Sequence, residues 1–67
     1  MSIAKNIEIS ATSERSFEDA LQQGIKRACN TVDNVCGAWI KEQKVDVKEG
    51  VVVQFRVDMV VTFILSE

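Results

Sequence analysis

The sequence predicts an α+β fold. It reads as a β-α-β-β chain whose three-stranded antiparallel sheet, in the order 1-3-2, wraps around one helix. Three observations predict it. Residues 3–10 alternate with period two, as a half-buried strand does. Residues 17–32 carry apolar side chains at steps of three and four, the stripe of an amphipathic helix. Residues 38–47 and 51–65 are two further strand-like runs, parted by little more than "KEG".

In the first strand, "IAKNIEIS", Ile3, Lys5, Ile7 and Ile9 share one side, and Asn6, Glu8 and Ser10 the other. Lys5 interrupts the apolar side close to the chain end, where it reaches solvent. "ATSERS" then supplies turn and cap chemistry. Ser16 followed by Asp19 resembles a capping box, with aspartate in place of glutamate or glutamine.

The helical stripe is Phe17, Ala20, Leu21, Gly24, Ile25, Ala28, Cys29 and Val32. Glu18 and Asp19 suit the positive N-terminal end of the helix. Gly24 interrupts it at a cost of about 1 kcal/mol relative to alanine. Close approach of the helix to the sheet is the expected compensation. "DNVCG" ends the helix, with Asn34 and Gly37 as candidate left-handed positions.

The second strand is "AWIKEQKVDV" and the third, longer one is "VVVQFRVDMVVTFIL". Every odd position of the third strand from Val51 to Leu65 is apolar, so that side faces the helix. A helical crossover returns the second strand parallel to the first, and the hairpin makes the third antiparallel to both. Placing the third strand between the others makes every neighbouring pair antiparallel. That strand measures ~50 Å at about 3.3 Å per residue, twice the helix at ~25 Å. Such a sheet must curl around the helix or be covered by another subunit, and Val60 and Ile64 on the far side also call for cover.

With 67 residues, the chain reads as a single domain spanning residues 1–67. A chain of this length buries only roughly 60% of its unfolded surface, so a staple or an oligomer is expected. Cys29 and Cys36 are the only cysteines and form no spaced metal motif. Two lone thiols and no signal-like start place it in a reducing cytoplasm. The apolar runs fall short of a membrane span. Eight basic and ten acidic residues are scattered along the chain, net charge −2, without the basic stripe of a nucleic-acid binder. Self-assembly is the partner that remains.

Reaction chemistry is sparse. The chain has no histidine, no tyrosine and no glycine-rich phosphate loop. "DVKE" beside the hairpin has cation ligands but reads first as a solvated turn. Cys29 sits on the apolar stripe and reads as a small core residue. Cys36, in the connection after the helix, reads as accessible, with no histidine to serve as its base. No enzyme is expected. The one tryptophan, Trp39, is then the residue to explain.

The pieces "TSERSFEDAL", "IKRACNTVDNV" and "FRVDMVVTFILSE", in this order and spacing, resemble the dodecins across nearly the whole chain. The resemblance implies a sheet wrapped around one helix and a hollow homododecameric shell. It also implies binding and storage of a flavin-type ligand (riboflavin, FMN or FAD) as stacked pairs, without catalytic turnover. By the same resemblance the stacking tryptophan would fall at Gly37, counted back from Gly50, and a ring-edge glutamine at Arg56. Both contacts depart from the family pattern.

Trp39 lies one strand repeat beyond Gly37 and should project from the same outer face, with Lys41, Gln43 and Arg56. The candidate ligand residues are therefore Trp39, Arg56, Gly37 and Gln43, with no metal ligands. Two other functions stay open. Arg56 has the planar fork that suits phosphate, so the shell would hold a phosphate-bearing cofactor such as coenzyme A. Alternatively Trp39 is an intersubunit anchor in an assembly with no small ligand.

Overall fold

The computed structural model describes residues 2–66. Strand β1 (Ile3–Ser13) leads to helix α1 (Phe17–Thr31), then to β2 (Val35–Lys48) and β3 (Val51–Ser66). The sheet order is β1-β3-β2, and both ladders are antiparallel. The expected topology is the observed one.

Strand β1 runs three residues past the alternating stretch because Ala11, Thr12 and Ser13 continue the ladder opposite Val57, Arg56 and Phe55. Ser13 then fixes the corner. Its hydroxyl accepts from the backbone N–H of Arg15 at 2.9 Å and donates to the Asp19 carboxylate at 2.6 Å. Ser16 caps α1 by accepting from the backbone N–H of Asp19 at 3.0 Å. Only that half of the expected capping box forms, because the Asp19 side chain turns to Ser13 and Gln23 instead. These hydrogen bonds hold the Asp19 carboxyl below the usual aspartate range, with the Ser13 bond the largest cause.

The core lies between α1 and the odd-numbered face of β3. Ala20, Val57, Met59 and Val61 are fully buried, with Ala28 close behind. Phe17 and Phe55 close one end edge to face, ring centres 5.1 Å apart. Gly24 is where helix meets sheet: a Cβ there would lie 2.7 Å from the Met59 methyl carbon and 3.1 Å from the Ala11 Cβ. The missing side chain is what lets the backbones approach.

Asn34 ends the crossover with a left-handed φ of 64°. It is pinned to the central strand, its carbonyl accepting from the Ile64 N–H at 3.0 Å. Gly37 does not share that conformation, contrary to expectation, since β2 has already begun at Val35. The β2–β3 hairpin closes through Glu49 (φ 52°) and Gly50 (φ 77°), the two positive φ values of a tight primed turn.

Two further expectations are corrected. Cys29 is exposed rather than in the core, because it lies where the stripe rotates past the sheet towards the β2 edge. Gln43 does not share the outer face with Trp39. Register shifts at Ile40/Glu42 reverse the parity of β2, so Gln43 lies opposite Val57 on the helix side, while Glu42 lies opposite Asp58. One extra residue in a strand moves every later side chain to the other face.

The molecule extends 51 Å along its long axis, against ~22 Å for a 15-residue helix. The hairpin end therefore stands clear of α1. Val45, Val47, Val51, Val52 and Val53 are all exposed there.

Candidate functional site

The outer face of the sheet is built on the even positions of β3. Arg56, Asp58, Val60 and Thr62 run down its centre, flanked by Thr12, Ser10, Glu8 and Asn6 of β1. On the other side stand Lys44, Glu42, Trp39 and Gly37 of β2. Polar links tie the β1 side together. Thr62 donates to the Asn6 side-chain carbonyl at 2.7 Å, and Ser10 donates to the Asp58 carboxylate.

Lys41 is the residue that the register shift leaves without a partner on β3. Freed from the ladder, its amine reaches across the central strand to the Glu8 carboxylate, 2.8 Å away. That hydrogen bond, first, and the Glu8 charge, second, hold the amine above the usual lysine range; Glu42 and Asp58 add to the effect. The bridge passes beside Val60, whose other neighbour is Trp39. An outer-face valine is thereby brought to 9% exposure. The sequence places Lys41 on this face but carries no sign of its partner, 33 residues away.

Trp39 itself is 51% exposed. Gly37, on the same face one repeat away, has open space where a side chain would stand. The structure brings these two together. It does not bring Arg56 to them. Arg56 pairs with Lys44 and Thr12, four residues along β3 from Val60, a step of about 13 Å. Its guanidinium lies 3.8 Å from Asp46, and its Nε is buried without a partner. Gln43 faces the helix. Of the four expected ligand residues, one chain assembles Trp39 and Gly37 alone.

A half-exposed indole on the outer face, opposite Val60 in the ladder, can stack a planar ring system. Among the described residues, no group of three or more histidine, cysteine, aspartate or glutamate side chains is placed to hold a metal ion. No helix among them is long and apolar enough to cross a membrane.

The dodecin family model matches residues 3–66. The chain belongs to the dodecin family. Solved dodecins share its fold over essentially the whole length. It is similar to a single-substitution variant of the Thermus thermophilus dodecin, with 30% identity, TM-score 0.92 and complete coverage of both chains. It is also similar to the dodecin of Streptomyces davaonensis, with 27% identity and TM-score 0.91, over 98% of this chain and 97% of that one. A third, the calcium dodecin of Mycobacterium tuberculosis, is described as calcium-chelating with a novel calcium-binding site. It has 32% identity and TM-score 0.81, over 92% of this chain and 89% of that one. No curated protein matches this dodecin.

Proposed function

We propose that this dodecin is the subunit of a homododecameric, cytoplasmic shell that binds and stores a flavin-type ligand without catalytic turnover. The observation that carries the reading is the half-exposed Trp39 on the outer sheet face, opposite Val60 in the ladder and one strand repeat from the open position at Gly37. An aromatic side chain held by cross-strand packing offers a rigid stacking surface at little entropic cost. The exposed valines of the hairpin support assembly, since a run of apolar side chains left in water by one chain is material for an interface. The two free thiols fit a reducing compartment.

The test is a titration of riboflavin and FMN with the purified assembly. Stacking on Trp39 quenches flavin emission and shifts the indole emission together, and Trp39→Ala abolishes the flavin quenching while leaving the assembly mass intact. Unquenched flavin at micromolar protein removes flavin from the account.

A specific feature favours a second ligand class. Lys44 and Arg56 are directly opposite each other, and like charges so placed repel. Asp46 relieves them only at 3.8 Å. A phosphate-bearing cofactor such as coenzyme A would neutralise that pair. Coenzyme A retained by the wild type and lost from Arg56→Gln, with riboflavin unquenched by both, selects this reading over the flavin one.

A further inference from the structure

A cavity of about 400 Å3 opens between α1 and the start of β2, away from the outer face. Leu21, Ile25 and Val35 supply its apolar walls, and both cysteines of the protein line it: Cys29 from the last turns of α1 and Cys36 from the second residue of β2. Both are free and exposed. Their convergence has a structural cause. Leu21, Ile25 and Cys29 recur every fourth residue and so share the helix edge that looks towards β2. The left-handed turn at Asn34 then folds the chain back, so β2 starts beside the helix it has just left. Cys36 is the residue the ladder skips between Val35 and Gly37, and its thiol lies 3.6 Å from the Thr62 carbonyl.

We infer that this cavity is a dithiol site in which Cys29 and Cys36 together capture a soft, thiophilic monovalent cation, of which Cu(I) is the type. Thiolate sulfur selects soft metals over hard ones. Zinc would need four ligands, and the chain has no histidine and only these two cysteines. Two thiolates match the two-coordinate preference of a d10 monovalent ion. The walls carry no carboxylate or other oxygen-bearing side chain for a hard, hydrated cation. With both cysteines lining one cavity, the second metal–sulfur bond forms within the chain, at a high effective concentration. Capture is not a redox step: two thiols release two protons, and one Cu(I) is held between two sulfurs as an anionic bis-thiolate.

The experiment uses the reduced, assembled protein and two probes. Cu(I) is titrated in competition with a chromophoric chelator, and phenylarsine oxide serves as a covalent gauge of thiol pairing, joining two sulfurs to one arsenic with loss of one water. The wild type is expected to take one Cu(I) per chain, at least tenfold more tightly than Cys29→Ser or Cys36→Ser. It is also expected to lose two titratable thiols per arsenical within a single chain by denaturing mass spectrometry. Circular dichroism and assembly mass of the serine variants show that the fold persists. Capture unaffected by either substitution, arsenic linking two chains, or two thiols reacting independently would overturn the inference.

Discussion

Trp39 and Val60 face each other across the β2–β3 ladder and divide their exposure unequally: the valine is 9% exposed, the indole 51%. Trp39 is thus the β2 neighbour of a nearly buried outer-face valine while itself staying half exposed. Trp39→Ala should therefore uncover Val60 and lower stability by about 1 kcal/mol, the scale of a cross-strand aromatic–aliphatic pair. Urea denaturation at fixed protein concentration measures it. A larger loss, accompanied by dissociation of the assembly, would make Trp39 chiefly an intersubunit anchor.

Gly24 marks a close approach of helix to sheet, where a Cβ would lie 2.7 Å from the Met59 methyl carbon. Gly24→Ala gains about 1 kcal/mol of helix propensity, but overpacking a filled core costs about 1–3 kcal/mol. The methyl of Met59 would have to leave a fully buried position, and the Ala11 Cβ would lie only 3.1 Å from the new methyl. A net loss of about 1 kcal/mol is expected from thermal or urea midpoints. Gly24→Ala combined with Met59→Val should recover most of it, and strict additivity of the two changes would refute the close-approach account.

Asp19 makes the corner between β1 and α1 sensitive to acid. Its carboxyl titrates below its ordinary value in the folded chain, chiefly through the Ser13 hydroxyl. Its contribution to stability is thus present at neutral pH and is lost as pH falls through the lowered folded value. Compared with Asp19→Asn, the wild type should hold a constant advantage down to about pH 4, the usual aspartate range, and lose it below. An advantage that persists unchanged to pH 2 would contradict this role.

The hairpin turn carries a residue ill suited to it. Glu49 and Gly50 both adopt positive φ, which a side chain with a Cβ resists by about 1–2 kcal/mol. Glu49→Asn should raise stability by about 0.5 kcal/mol, and Gly50→Ala should lower it by about 1 kcal/mol, in equilibrium unfolding. Equal effects of the same sign would mean that the turn relaxes to another type.

These features differ in how far the sequence announces them. The alternation of Ile7 and Ile9, the stripe from Phe17 to Ala28 and the odd positions of β3 fix element type, strand order and core, because burial imposes a period. Gly24 announced a close approach, though not its partner Met59. The register shifts around Cys36 and Lys41 leave no periodic trace, since one skipped residue looks like ordinary strand sequence. Simple alternation consequently puts Gln43 on the wrong face, while Trp39 and Gly37, both between the two shifts, stand on the face that alternation gives them. The Lys41–Glu8 bridge exists only because of one such shift, so its absence from the sequence reading has the same cause. Cys29 shows the limit of a helical stripe: its edge positions face the sheet's margin rather than its centre.

The account rests on the outer sheet face, with Trp39 half uncovered upon it, being the place where a planar ligand sits in the assembled protein. The most direct measurement is a crystal structure of the assembly grown with riboflavin. The account predicts an isoalloxazine ring stacked on the Trp39 indole, over the Gly37–Val60 surface. An indole sealed in a subunit contact, with riboflavin absent or held elsewhere, would contradict it.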